Sequence, residues 1–424
     1  MNEALARALY ALALRLGTPA YLARLWWRGR REPGYREQLA GRLGFGAVQA
    51  PGRVWIHAVS LGETKAAEPL IAELRARDPG LRLLLTHGTA TGRAAGRALL
   101  REGDAQAWLP WDTPGAVRRF FACHRPAVGV VMETEVWPQM LHGAQQAGVP
   151  MLLANARLSA KSERQGRRFA ALLHPALARF EAVLAQTEAD AARLRASGAR
   201  VVEVAGNLKF EIALRPELLA RGAAWKQALG RPVVLAAVTR EGEEAALLAA
   251  WRAAPRGEAL LVIVPRHPQR FDEVAGLVAQ AGFGLARRSA FAADAPDEAA
   301  RRADVWLGDS LGEMPAWYAL ADVALLGGSF EPLGGQNLIE AAACGCPLLM
   351  GPHTYNFALA AELSLEAGAA RRVDSIEAAV AAALTLLQDA PARQAMAAAG
   401  RAFTAAHRGA AARMAAAVLA TLRG

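Results

Sequence analysis

The stretch from Gly327 to Glu340 (GGSFEPLGGQNLIE) carries residue types and spacings suited to chemistry on a phosphate. It follows the apolar run 323–326, which is short enough for a buried parallel strand. A glycine-rich turn before a helix start bares backbone N–H groups to an anion. Glycine also lets a phosphate approach the main chain closely. Asn337 is positioned to cap a helix running to Cys344, with Glu340 on its first turn. From there the Glu340 carboxylate can accept hydrogen bonds from a ribose diol. The stretch reads as a clamp for a nucleotide's phosphate and sugar, against the plainer reading of a glycine-rich αβ connection. Three charged groups in the first half also follow predicted strands. Glu63 comes after 54–59, Glu133 after 128–132 and Lys209 after 201–205. Open α/β sheets bind ligands beyond such strand ends. Each has a simpler role: a helix cap for Glu63, a salt bridge for Glu133 and a solvated side chain for Lys209.

The elements that must hold these groups come from the alternation of strands and helices. Apolar runs at 54–59, 81–86, 128–132, 151–154, 182–185 and 201–205 are separated by helical segments, which predicts a parallel, doubly wound sheet. A second α/β set begins at 232–237 and continues through 259–264, 305–307, 323–326 and 347–350. Residues 212–230 are helical and polar with no strand, as a linker would be. The expected division is an N-terminal segment 1–31, a Rossmann-like domain 32–211, the linker 212–230 and a second Rossmann-like domain 231–424, its last helix returning to the first domain.

The chain has 424 residues, 53% of them hydrophobic, which excludes a disordered protein. Its net charge of +10 is carried by scattered arginines. No basic run is interleaved with aromatics, so nucleic acid is not the expected partner. Anionic substrates and anionic membrane surfaces remain. Only Cys123, Cys344 and Cys346 are present, with no disulfide framework and no zinc spacing. Residues 1–31 are rich in Leu and Ala but interrupted by Glu3, Arg7 and Arg15, and Gly17-Thr18-Pro19 is expected to break the helix. The apolar run is too short to cross a bilayer. Trp26 and Trp27 followed by Arg28, Arg30 and Arg31 suggest a helix lying in a membrane face, with arginines at anionic headgroups. A soluble amphipathic helix docked on the domain is the alternative.

Taken in order, the runs RLWWRGRR, YREQLAGRLG, HAVSLGET, METEVWP, NARLS, GNLKF, VPRHPQRF, GDSLGEM, LGGQNLIEAAA and MGPHTYNF resemble the 3-deoxy-D-manno-octulosonic acid (Kdo) transferases of Gram-negative bacteria over essentially the whole chain. The resemblance implies a GT-B fold, two Rossmann-like domains facing a cleft. It also implies an inverting glycosyltransferase that moves Kdo from CMP-Kdo onto a lipid A precursor at the cytoplasmic face of the inner membrane, without cofactor or metal. It makes Glu63 the general base and assigns Glu133 and Lys209 to transition-state stabilisation. CMP binding falls to Pro265, Arg266, Leu311, Gly312, Glu313, Asn337, Leu338, Ile339 and Glu340. Two positions depart from the family pattern: Arg240 and Gln336 each stand where relatives carry His.

A helix N-terminus lowers a carboxyl pKa, making Glu63 a weak base unless burial or a second carboxylate such as Glu133 raises it. Three other readings fit the same architecture: a transferase using a UDP-sugar, a non-catalytic membrane-associated binding protein, and an epimerase-like protein.

Overall fold

The computed structural model describes residues 2–291 and 295–423. Its strands are β1 (Val54–His57), β2 (Leu83–His87), β3 (Ala105–Trp108), β4 (Val128–Met132), β5 (Met151–Ala156), β6 (Ala182–Ala185) and β7 (Val202–Val204), then β8 (Val233–Thr239), β9 (Leu260–Pro265), β10 (Leu285–Arg287), β11 (Val305–Leu307), β12 (Val323–Leu326), β13 (Leu348–Met350) and β14 (Ala370–Arg372). They form two seven-stranded sheets, ordered β3-β2-β1-β4-β5-β6-β7 and β10-β11-β9-β8-β12-β13-β14. Every pairing is parallel. Parallel strands need helical crossovers, which cover both faces, so the central strands are apolar throughout rather than alternating. Residues Val54, Trp55 and Ile56 of β1 are all within 1% of full burial. In each sheet the strand order reverses once, between β1 and β4 and between β8 and β12.

The chain divides into two compact units, Met1–Glu211 with Arg408–Gly424, and Ile212–His407. In the first, the final helix Ala410–Arg423 buries Met414 and Val418 beside Leu70 and Leu74 of the helix Leu61–Arg77. Residues 212–230, expected to be a linker, lie in the second unit. Their helix Pro216–Leu229 buries Trp225 against Trp317 of the helix Met314–Leu320, with ring centroids 5.0 Å apart. Any side chain at Gly222 would collide with the Ala316 carbonyl, so the helices can approach this closely only over glycine. Strand β14 has no counterpart in the sequence reading, since two of its three residues are exposed arginines at a sheet edge.

The expected break at Gly17-Thr18-Pro19 does not occur. A single helix runs from Glu3 to Arg28 through Pro19. Proline there removes one backbone hydrogen bond, but the helix is held from outside. Tyr10 Oη donates to Asp112 Oδ2 at 3.0 Å, Gln139 Nε2 to the Arg7 carbonyl at 3.0 Å and Trp111 Nε1 to the Leu14 carbonyl at 3.1 Å. Tyr21 stacks on Trp111 at 3.9 Å. The side turned away carries Leu5, Leu9, Leu12 and Leu16, all at least half exposed, in helical register, with Trp26 and Trp27 exposed at the end. No described helix is long and apolar enough to cross a membrane.

Candidate active site

In the first unit, β1 ends at His57 and the chain turns through Ser60 into the helix Leu61–Arg77. Ser60 is its N-cap, and Oγ accepts from the Glu63 N–H at 3.3 Å. In return, Glu63 Oε2 accepts from the Val59 N–H at 2.8 Å, and Oε1 from Ser60 Oγ at 3.0 Å. This is a reciprocal capping box. These hydrogen bonds favour the ionised carboxylate. Burial outweighs them, with the charge of Glu133 adding to it, and the Glu63 carboxyl is pushed above its ordinary value.

Glu133 leaves β4, the strand beside β1, with its backbone in the left-handed region (φ 60°) and its N–H donating to the Ala154 carbonyl at 2.9 Å. Glu135, two residues on, is pushed up to about 7 by burial and then by the charges of Glu63 and Glu133. At the end of β5, Asn155 is also left-handed (φ 52°) and fully buried. Its Oδ1 accepts from the Leu208 N–H at 3.0 Å, fixing the short turn Leu208–Phe210 that carries Lys209. Burial lowers the Lys209 pKa; Glu133 opposes that shift and Arg157 reinforces it. Glu63, Glu133, Glu135, Lys209 and Arg157 thus lie beyond the carboxyl ends of the strands and influence one another electrostatically. Non-glycine residues with positive φ cost about 1–3 kcal/mol each and gather where function over-determines the backbone.

In the second unit, Pro265 ends β9 and Arg266 follows it, with the Arg266 N–H on the Thr239 carbonyl at 2.9 Å and its side chain exposed. Leu311 is exposed in the loop after β11, and Gly312 (φ 76°) presents its carbonyl to Arg215. The Glu313 carboxylate is committed elsewhere. It pairs with Arg221 at 2.6 Å and Arg288 at 3.0 Å and accepts from Ser310 Oγ at 2.5 Å. Asn337 Oδ1 accepts from the Ile339 N–H at 3.1 Å, but the helix is shorter than expected, Ile339–Cys344. Leu338 and Ile339 are buried, and burial pushes the Glu340 carboxyl up while Arg215 opposes it.

The expected phosphate cradle is corrected at its first turn. The Gly327 N–H donates to the Ala237 carbonyl at 2.8 Å, and the Gly328 and Phe330 N–H groups donate to the Glu243 carboxylate at 2.8 and 3.3 Å. A carboxylate of this chain already sits where an anion was expected. Glu243, 2% exposed, also accepts from the Arg240 N–H at 2.9 Å. Among the described residues, no group of three or more His, Cys, Asp or Glu side chains is arranged to hold a metal.

The family described as 3-deoxy-D-manno-octulosonic-acid transferase (kdotransferase) matches residues 37–212. The 3-deoxy-D-manno-octulosonic acid transferase of Bordetella pertussis is 50% identical over 421 residues, covering 95% of this chain and 96% of that one. The chain belongs to the Kdo transferase family. The Haemophilus influenzae transferase is 34% identical, covering 83% of each chain. A solved glycosyltransferase from Rickettsia africae has the same fold, with a TM-score of 0.56 over 88% of this chain and all of that one, at 12% identity. The protein is a GT-B glycosyltransferase that transfers Kdo.

Four residues of this Kdo transferase site escaped the sequence reading as parts of the site. Glu135 stands in the METEVWP run, and the charge of Glu63 helps push its carboxyl up. Its two-residue spacing from Glu133 was the only signal. Asn155 and Arg157 stand in a run whose order marks the family but whose contacts are nonlocal. Glu243 lies 85 residues from the Gly328 N–H that it holds.

Proposed function

We propose that this Kdo transferase takes Kdo from CMP-Kdo and adds it, with inversion, to a lipid A precursor in lipopolysaccharide core assembly. The observation that carries the reading is the coupling of Glu63, at the end of β1, to Glu133, at the end of β4. Glu63 takes the proton from the acceptor hydroxyl as its oxygen bonds to the anomeric carbon of Kdo. The bond from that carbon to the CMP phosphate oxygen breaks, and CMP leaves with the electron pair. Lys209 neutralises the developing negative charge, and Glu133 stabilises positive charge on the sugar ring. The raised Glu63 pKa supports this reading, because a carboxylate whose pKa is raised is a stronger base than an ordinary one.

In the second unit, Arg266 offers an exposed guanidinium that can fork onto the single phosphate of CMP. Half-buried Glu340 suits the ribose hydroxyls, and the backbone of Leu311, Gly312 and Glu313 suits the cytosine edge. Pro265 and Asn337 complete the proposed CMP site, and buried Leu338 and Ile339 hold Asn337 and Glu340 in place from the core side. The exposed Leu5–Leu16 stripe and Trp26, Trp27 and Arg28 support a helix lying in the cytoplasmic face of the inner membrane. Incubating the purified protein with CMP-Kdo and lipid A precursor tests the reading by product mass. A product heavier by one or more Kdo residues is expected. An unchanged acceptor would overturn the reading.

A further inference from the structure

Arg240 and Gln336 lie 96 positions apart in the chain and meet at one point in the fold. That point is Gly328. A side chain built on Gly328 would lie 3.1 Å from Gln336 Nε2 and 3.5 Å from Arg240 Cγ. Arg240 follows β8 and Gly328 follows β12, the strands on either side of the second sheet's switch point. Their backbones are locked together: both N–H groups donate to the same oxygen, Glu243 Oε2, at 2.9 and 2.8 Å. The backbone leading into Arg240 is strained. Val238 is β-branched yet has φ 59°, and the β8–β9 register shifts there.

We propose that Arg240 and Gln336 form the subsite for the carboxylate of the donor's sugar. The inference rests on the CMP-Kdo reading above. Kdo carries a carboxylate on its anomeric carbon, beside the bond that breaks. Arg240 Nε is engaged at 3.0 Å by Glu241, whose carboxylate is exposed and constrains it little. Its two terminal amino groups have no partner among the described residues and make a planar fork that matches a carboxylate. Gln336 Nε2 supplies a further donor at the same point. Gly328, left-handed at φ 69° and without a side chain, lets Gln336 and Arg240 pack together over the turn. Glu243 occupies the backbone N–H groups below, so the anion contact passes to these two side chains. A guanidinium stays charged at any physiological pH, so this contact is independent of pH where an imidazole's would fade.

The test compares the KM for CMP-Kdo with the inhibition constant of CMP, which lacks the carboxylate, in wild type, Arg240→Gln, Arg240→Lys and Gln336→Leu. Arg240→Gln is expected to raise the donor KM roughly 10- to 100-fold while CMP inhibition stays within about twofold. Arg240→Lys recovers part of the loss, and Gln336→Leu gives a smaller one. In Arg240→His, the KM rises as pH climbs above the imidazole range, whereas the wild-type KM is flat. Unfolding temperatures of all variants control for misfolding. An unchanged KM in Arg240→Gln overturns the proposal, and so does a parallel rise in both constants, which would assign Arg240 to the phosphate. Failure of CMP to inhibit the wild type would bring down the donor reading itself, and this subsite with it.

Discussion

Glu63 and Glu133 leave neighbouring parallel strands on opposite sides of the first sheet's switch point, and the charge of Glu133 helps push the Glu63 carboxyl upward. The Glu63 carboxylate caps the helix Leu61–Arg77, and in the proposed mechanism it is also the base. The two jobs can be separated because they use different properties of the side chain.

Glu63→Gln keeps an amide oxygen for the Val59 N–H, so the cap survives. It removes the basic group. Transfer should fall by roughly 10²–10⁴-fold, with an unchanged unfolding temperature and unchanged inhibition by CMP. Glu63→Ala removes both functions and should also cost about 1 kcal/mol of stability. Near-normal turnover by Glu63→Gln would remove the base assignment.

The pH dependence follows from the same coupling. The proposed base works only when ionised, so activity should be lost as pH falls through the raised pKa of Glu63. The acid limb of kcat/KM should lie above the ordinary carboxylate range. Glu133→Gln removes the neighbouring charge and should move that limb to lower pH, whatever it does to the maximal rate. A limb that stays fixed would contradict the coupling.

Glu135 gives a stability test with the opposite pH profile to a salt-bridged acid. Its folded pKa of about 7 lies above its ordinary value of 4.5. The folded state therefore holds the proton more tightly than the unfolded chain does. That contribution is fully present below about 4.5 and is lost as pH rises through about 7. Glu135→Gln should raise the unfolding temperature more at pH 8 than at pH 5, measured by calorimetry.

Removing the Glu243 carboxylate tests the loop that carries Gly328. In Glu243→Leu, the N–H groups of Arg240, Gly328 and Phe330 lose their shared acceptor. Each buried donor left unpaired costs about 1–3 kcal/mol. Glu243→Gln retains one acceptor oxygen and should lose less. Thermal unfolding measures both, and CMP inhibition should weaken in the same order.

The exposed leucine stripe predicts a surface affinity. Replacing Leu9, Leu12 and Leu16 together by Ser removes apolar area without touching Tyr10, which holds the helix to Asp112. Sedimentation with anionic phospholipid vesicles should drop sharply while the unfolding temperature holds. Equal sedimentation would remove the membrane-face reading.

The sequence by itself determined the α/β alternation, most of the strands and the positions of Glu63, Glu133 and Lys209 after strand ends. Those signals are local: an apolar run of three to six residues, then a turn. The order of its motifs also identified the family. Tertiary structure alone decided the rest. A helix crosses Pro19 because Asp112, Trp111 and Gln139 grip it from elsewhere in the chain. Glu63 is raised rather than lowered because burial and Glu133 outweigh its hydrogen bonds. The glycine turn at Gly327 is filled by Glu243, which no short window of sequence brings near it. Burial and charge coupling depend on which strands become neighbours, and strand order is set by packing across the whole domain.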